Sequence, residues 1–124
     1  METLQILLVE DNRFFQQIVS DFAEAHGFAL QIAVNGRDAI EILQEQTFDL
    51  ILMDVEMPEM DGYQTTEYIR KNMPQVQHIP IIIVTSHDHP QHATKSLLTG
   101  ANSYLRKPFS EEELLAEIET LMIG

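Results

Sequence analysis

The sequence predicts an α/β domain in which a five-stranded parallel sheet carries helices on both faces. Short apolar runs alternate with stretches of helical periodicity, at roughly 20–25 residues for each strand–helix unit. Two of these runs, Ile6 to Val9 and Ile81 to Val84, are continuous in apolar residues, as is typical of strands buried on both faces. Polar or charged residues directly follow four of the strands. Right-handed crossovers would gather those residues at one edge of the sheet.

Length and composition limit the class of protein. The 124 residues suffice for one domain with a buried core, and we expect residues 1–124 to form it without an output domain. The absence of cysteine excludes disulfides, thiolate catalysis and cysteine-based zinc sites. The apolar runs are too short to span a bilayer and no leader segment is visible, so we expect a soluble cytoplasmic protein.

The charge balance argues against two kinds of partner. Seven Lys and Arg residues stand against 20 Asp and Glu residues, which gives a formal net charge of −13. A domain with this charge is repelled by phosphate backbones and by anionic lipids. We therefore expect no direct binding to nucleic acid or to membranes.

The first strand is predicted at Leu4 to Val9 and ends on Glu10 and Asp11. Asp11 or Asn12 then caps a helix, and Gly27 ends it. The inner face of this helix is predicted from its periodicity to contain Phe15, Ile18, Val19 and Phe22. Residues 29–34 predict an edge strand. Asn35 and Gly36 turn into a second helix, whose predicted inner face is Ala39, Ile40 and Leu43.

The central stretch is residues 49–62, DLILMDVEMPEMDG. Its apolar run from Leu50 to Met53 predicts a buried strand that stops on Asp54, before a turn containing Pro58 and Gly62. A carboxylate in this position is presented at the carboxyl edge of the sheet, where open α/β folds bind ligands. Taken alone, Asp54 could equally be a residue that starts a turn. The residues that share its edge decide between these interpretations.

The second half of the chain continues the alternation. A short helix from about Tyr63 to Arg70 ends before Pro74, and the strand Ile81 to Val84 delivers Thr85 and Ser86. Residues 91–99 predict a fourth helix, and Asn102 to Leu105 a last strand, which Lys107 follows. Ser110 and Glu113 predict a capping box for the final helix. Its predicted inner face is Leu114, Leu115, Ile118, Leu121 and Met122.

The predicted edge collects Glu10, Asp11, Asp54, Thr85 and Lys107. Three carboxylates in one crevice repel one another, and a divalent cation removes that conflict. An oxygen site only partly filled by protein suits Mg²⁺, or Mn²⁺ in its place. Lys107 supplies a point charge for a phosphoryl oxygen, and Thr85 a hydroxyl donor. These groups suit phosphoryl transfer to a carboxylate. Asp54 is the predicted nucleophile, because the central strand puts it between the metal pair and Lys107.

Four segments together, LLVEDN, DVEMPEMDG, IIIVTS and GANSYLRKPF, resemble the receiver domains of two-component response regulators. The similarity covers essentially the whole chain, and only the combination is specific. It implies a flavodoxin-like, doubly wound sheet of order 2-1-3-4-5. It also implies a phosphorelay module that accepts a phosphoryl group on Asp54 from a histidine kinase or a His-phosphotransfer domain. Such a module is not an enzyme for a separate substrate, since it catalyses only its own phosphorylation and dephosphorylation.

The resemblance also implies roles for single residues. Mg²⁺ would be held by Asp11, Asp54 and the backbone carbonyl of Glu56, with Glu10 acting mostly through water. The Lys107–Pro108 peptide bond would be cis. Glu56 and His87 would influence the lifetime of the phosphoryl group, in a direction that the sequence does not reveal.

Thr85 and Tyr104 would form the switch. A phosphoryl oxygen would offer the Thr85 hydroxyl a charged acceptor that the empty site is expected to lack, and Tyr104 would rotate inward from solvent. The surface of the fourth helix, the last strand and the last helix would then change. A downstream effector, or a second copy in a phosphorylation-dependent dimer, would dock there.

Other functions fit less well. A flavodoxin-like cofactor-binding protein needs a phosphate loop rich in Ser, Thr and Gly after the first strand, and this chain has EDNR there. A phosphatase of the haloacid dehalogenase type needs a second Asp two residues after the nucleophile, where Glu56 stands. A receiver excised from a larger hybrid kinase or response regulator remains an alternative. Loop histidines are usually solvated, but a transition-metal site is also open for His87, His89 and His92.

Overall fold

A computed structural model describes residues 3–86 and 90–123 of the chain. The strands are β1 (Gln5–Val9), β2 (Ala29–Ala33), β3 (Leu50–Asp54), β4 (Ile81–Thr85) and β5 (Ser103–Arg106). The helices are α1 (Arg13–His26), α2 (Gly36–Glu45), α3 (Gly62–Asn72), α4 (Pro90–Leu98) and α5 (Glu111–Ile123). The strands form one parallel sheet in the order β2-β1-β3-β4-β5. The predicted fold class and strand order are confirmed.

The sheet separates two apolar clusters because successive side chains of a strand point to opposite faces. Ile6, Leu8, Leu52 and Val84 face one cluster, which Phe22 of α1 and the inner residues of α5 complete. The strand residues that alternate with these, such as Leu7, Ile51 and Ile83, face a second cluster under α2 and α3. The helix α4 lies beside α3, where the Lys95 ammonium is 4.7 Å from the centre of the Tyr63 ring. Helices therefore cover both faces, as predicted.

Local hydrogen bonds fix the helix ends. The side chain of Asn12, rather than that of Asp11, caps α1 by accepting the Phe15 amide at 2.9 Å. Gly27 ends α1 in the left-handed region, with φ of 73°. The predicted capping box of α5 is present, with reciprocal bonds between Ser110 and Glu113 of 3.1 and 3.0 Å. A second capping box, between Asp61 and Gln64, starts α3 and was not predicted.

Some predicted boundaries and faces differ from the structure. Asp54 and Thr85 belong to their strands, since backbone pairing to Val84 and Arg106 continues past the last apolar residue. Ile18 and Met122, predicted to face inward, are 42% and 36% exposed. A helix packed on a narrow sheet buries a stripe about 100° wide, and both residues lie beyond it. Within residues 3–86 and 90–123, no helix is long and apolar enough to cross a membrane.

Candidate functional site

The site lies at the carboxyl edge of the sheet, where four neighbouring strands end. Asp54 is the last residue of β3 and Thr85 the last of β4, while Glu10 and Lys107 come just after β1 and β5. Glu10 and Asp54 are only 1% and 2% exposed. Thr85 is fully buried and Asp11 is exposed. The structure thus brings together all five residues predicted to share this edge.

Three carboxylates form a candidate cation site. One oxygen from each of Glu10, Asp11 and Asp54 lies within 4.8 Å of the others. A cluster of oxygen ligands with one exposed member leaves room for water, which is the arrangement that Mg²⁺ prefers. The donor set therefore fits a hard divalent cation.

Lys107 lies between two of these carboxylates. Its Nζ donates to Glu10 Oε1 at 2.7 Å and to Asp54 Oδ1 at 3.1 Å. Burial lowers the pKa of Lys107, but the Glu10 hydrogen bond and the Asp54 charge outweigh burial, and the pKa is raised. The ammonium therefore stays charged. The other Glu10 oxygen accepts the Asn12 amide at 3.0 Å, so the carboxylate is held at both ends.

Two aromatic rings support the Lys107 ammonium. Nζ lies 4.0 Å from the centre of the Phe15 ring, within the range of a cation–π interaction. Phe109 packs edge-on against Phe15, with ring centres 5.5 Å apart and planes at 89°. Phe15 comes from α1 and Phe109 follows the Lys107–Pro108 bond, which is cis as the resemblance implied. Phe15 had been predicted only as a core residue, because periodicity does not reveal a neighbour about 90 residues away.

Asp54 is strongly perturbed. Burial raises its pKa, the Glu10 charge raises it further, and together they outweigh Lys107, giving a pKa of about 8. In the absence of a cation, a proton therefore competes for the carboxylate near neutral pH. Perturbed groups of this kind are concentrated at functional sites.

Glu56 makes a set of contacts that was not predicted. Its Oε1 accepts the Thr85 hydroxyl at 2.6 Å, the Ser86 amide at 3.1 Å and the Ser86 hydroxyl at 3.2 Å. Burial raises the pKa of Glu56, but the hydrogen bonds from Thr85 and Ser86 help to outweigh burial, and the pKa is lowered. The Thr85 hydroxyl therefore has a charged acceptor without any phosphoryl group, and the expectation that it lacks one was wrong.

Tyr104 and three histidines complete the set of predicted site residues. Tyr104 on β5 is half-buried and packs against the cluster under α2 and α3, rather than standing in solvent. His87 and His89 lie outside the described residues, as does the side chain of His92. The predictions for the lifetime role of His87 and for a histidine metal site are therefore untested.

Comparison with protein families matches residues 6–119 to the response regulator receiver domain. The chain belongs to this family. Receiver domains are the signalling modules of two-component systems, and this receiver domain carries its acidic cluster at the edge where the family resemblance located it.

Individual relatives agree with the family match. Protein PilH of Pseudomonas aeruginosa is 33% identical, over 97% of this chain and 98% of its own length. The transcriptional regulatory protein ZraR of Escherichia coli K12 is 36% identical, over 95% of this chain but 26% of its own. The structure of the chemotaxis protein CheY4 of Vibrio cholerae superposes with a TM-score of 0.89 at 30% identity, covering 96% of this chain and 98% of that one.

Several relatives are longer than this receiver domain. The chain spans about half the length, or less, of most of the curated regulators that it matches. Their shared part is the receiver domain.

Proposed function

We propose that this receiver domain accepts a phosphoryl group on Asp54 in a reaction that needs Mg²⁺. One observation carries the proposal: the buried Asp54 carboxylate belongs to the three-carboxylate cluster and also contacts Lys107 at 3.1 Å. A nucleophile placed between a cation site and an ammonium is suited to an incoming phosphoryl group, whose charge both can neutralise.

The transfer is a single displacement at phosphorus. One Asp54 oxygen forms the new O–P bond while the P–N bond of a phosphohistidine on the donor breaks. The electron pair of that bond stays on the imidazole nitrogen, which takes up a proton. Lys107, paired with Glu10 at 2.7 Å before the reaction, can turn its ammonium toward a phosphoryl oxygen without leaving the site.

Asp11 and Asp54, the backbone carbonyl of Glu56 and, through water, Glu10 would hold the metal. When bound, Mg²⁺ would neutralise charge on the phosphoryl oxygens and orient the group for in-line attack. The exposed position of Asp11 favours this assignment, because Mg²⁺ keeps part of its water shell.

The donor partner would be a sensor histidine kinase or a His-phosphotransfer domain. The recipient would be an effector protein or domain on the surface of α4, β5 and α5, or a second copy of the chain there. Nucleic acid and membranes are not proposed as direct partners, because the net charge of −13 repels both. The domain would catalyse only its own phosphorylation and dephosphorylation.

Acetyl phosphate provides a test that needs no partner protein. With Mg²⁺ it should phosphorylate the wild type, as seen by intact-protein mass spectrometry, and leave Asp54→Asn unmodified. Asp21→Asn is a matched control, because Asp21 is an exposed aspartate more than two turns along α1 from the helix end that lies at the site. A phosphoryl adduct on Asp54→Asn, or none on the wild type, would refute the assignment.

Asp11→Ala tests the metal requirement. It should weaken Mg²⁺ binding and abolish phosphorylation together, since the remaining carboxylates cannot neutralise the incoming phosphoryl charge. Isothermal titration with Mg²⁺ measures the first effect and mass spectrometry the second. Unchanged Mg²⁺ affinity would remove Asp11 from the metal site.

A further inference from the structure

We propose that the Glu56 carboxylate occupies the phosphoryl-binding position of Thr85 and Ser86 in the unphosphorylated domain, and so acts as an internal competitor of the phosphoryl group. This inference rests on the proposed function of Asp54 and adds a regulatory contact to it. Glu56 would be a positioning residue, because it acts through Thr85 and not on phosphorus.

Three donors converge on one oxygen of Glu56. The Thr85 hydroxyl, the Ser86 amide and the Ser86 hydroxyl reach Oε1 at 2.6, 3.1 and 3.2 Å. Convergent hydroxyl and amide donors of this kind form an anion-binding arrangement. The anion that fills it in this structure is a side chain of the domain itself, reaching from the loop between β3 and α3.

The competition follows from the chemistry of the donors. The Thr85 hydroxyl has one proton to donate, and Thr85 is fully buried at the end of β4. It cannot satisfy Glu56 and a phosphoryl oxygen with the same proton. Glu56 lies two residues after Asp54, so the negative charge of a phosphoryl group on Asp54 would also repel the Glu56 carboxylate. Phosphorylation therefore has to release Glu56 before Thr85 can move.

Two variants with graded chemistry test this competition. Glu56→Gln leaves a neutral and weaker acceptor for Thr85, and Glu56→Ala leaves none. At saturating Mg²⁺, affinity for the phosphoryl mimic beryllofluoride should rise from wild type to Gln to Ala, by about three- to tenfold in all. The Ser86 amide signal should shift in both variants before any mimic is added. If only the charge of Glu56 mattered, Glu56→Gln and Glu56→Ala would have equal beryllofluoride affinities, which would refute the competition for the Thr85 hydroxyl.

Controls separate the contact from general electrostatics. Glu59→Gln removes the same charge from an exposed residue of the same loop and should change beryllofluoride affinity less than twofold. In a Thr85→Val background, the gain in beryllofluoride affinity caused by Glu56→Ala should shrink at least by half. In a Thr85→Ser background, which keeps a hydroxyl, the full gain should return. Mg²⁺ affinity without the mimic should stay equal or fall, because the Glu56 variants remove a negative charge near the cation site.

The outcomes distinguish this inference from the proposed function. If wild type binds no beryllofluoride and takes no phosphoryl group, the proposed function fails. If wild type binds it but the Glu56 variants match Glu59→Gln, only the competition is refuted. If Glu56→Ala raised beryllofluoride affinity equally in the Thr85→Val background, the competition would also be refuted, because the effect would not depend on the Thr85 hydroxyl.

Discussion

Lys107 is positioned by three different side chains: two carboxylates and one aromatic ring. The carboxylates fix the ammonium by charge, and Phe15 limits its approach from one side. An ammonium over an aromatic face gains about 0.5–2 kcal/mol, depending on its exposure. Phe15 therefore belongs to the site as well as to the packing of α1.

We predict that Phe15→Leu slows phosphorylation by acetyl phosphate about two- to fivefold, because the ammonium loses its aromatic support but keeps both carboxylates. Phe15→Tyr should retain nearly the wild-type rate. The rate is measured by mass spectrometry at saturating Mg²⁺.

Phe14→Leu is the matched control, since Phe14 is the neighbouring residue of α1 and is 77% exposed. Thermal unfolding of all three variants separates a lost contact from lost stability. Equal rates for Phe15→Leu and Phe14→Leu would show that the ring does not position Lys107.

The raised pKa of Asp54 predicts two opposite pH effects. Its pKa moves from the ordinary 3.8 to about 8, so between these values the folded state holds a proton that the unfolded chain has lost. The stability contributed by that proton is present at low pH and is lost as pH rises toward 8. Mg²⁺ affinity should rise over the same range, by at most about tenfold per pH unit, and level off above pH 8.

Titrations with Mg²⁺ at pH 6, 7, 8 and 9 measure the affinity, and denaturant unfolding without metal measures the stability. Asp54→Asn should flatten the pH dependence of the free energy of unfolding. At pH 8 its free energy of unfolding should exceed that of the wild type by about 1–2 kcal/mol. A Mg²⁺ affinity that stays flat from pH 6 to 8 would contradict the assigned protonation.

The sequence predicted which residues share the site wherever a residue stands at the end of a strand. Asp54, Thr85, Glu10 and Lys107 each end or follow a parallel strand, so topology alone brings them together. The contact of the Glu56 side chain with Thr85 and Ser86 could not be predicted in the same way. It depends on the path of the loop between β3 and α3, where Glu59 adopts φ of 68°.

At the scale of elements, α3 approaches β3 as closely as the backbone allows. A Cβ at Gly62 would overlap the carbonyl oxygen of Asp54, so only glycine fits at the start of α3. The loop that carries Glu56 therefore closes tightly onto the end of β3, and the Gly62 amide donates to Val55 at 3.2 Å.

We predict that Gly62→Ala displaces this loop, destabilises the domain by about 1–3 kcal/mol and lowers the phosphorylation rate of the molecules that remain folded. Denaturant unfolding gives the stability, and mass spectrometry with acetyl phosphate gives the rate.

Gly27→Ala is the control, because Gly27 ends α1 with φ of 73° and a side chain there strains the backbone away from the Asp54 loop. It should cost stability without changing the rate of the folded fraction. Similar losses of rate in both variants would trace the effect to general destabilisation.

The elements themselves were largely predictable, for a physical reason. The inner strands β3 and β4 are buried along their full length, so they appear in the sequence as continuous apolar runs. Helix faces were less predictable. Ile18 and Val19 are adjacent apolar residues of α1, yet only Val19 is buried, and which one faces the sheet depends on how the helix is rotated against it.

At the scale of the whole molecule, Arg70 joins α3 to the end of α4 and the start of β5. Its guanidinium donates to the carbonyls of Gln77, Ile79 and Gly100 and to the Asn102 side chain, at 2.7 to 2.8 Å. These bonds lie at the amino edge of β5, opposite the site. They fix one end of α4, while its other end lies near the carboxyl edge.

We predict that beryllofluoride with Mg²⁺ perturbs amide signals of α4, β5 and α5, most strongly toward the Asp54 end and least near Gly100. A differential free energy of a few kcal/mol suffices for a large population shift. Thr85→Ala should suppress the distant changes and keep those beside Asp54. Two-dimensional amide NMR measures both.

Arg70→Met should spread the perturbation to Gly100, because that end of α4 loses its anchors. Lys71→Met, at an exposed neighbour, is the control. If α4, β5 and α5 do not respond in wild type, or respond fully in Thr85→Ala, the Thr85–Tyr104 switch does not operate here.

The pairing of Lys107 with Glu10 links residues 97 positions apart. During synthesis, a nascent chain that has just released β4 from the ribosome already holds Glu10, Asp11 and Asp54, but not the lysine that balances them. The acidic centre is therefore complete only when β5 has left the exit tunnel and joined the sheet. Any amino-terminal fragment that stops before β5 keeps the proposed nucleophile and cation ligands without their ammonium, so the proposed phosphoryl-accepting site is completed only by the last fifth of the chain.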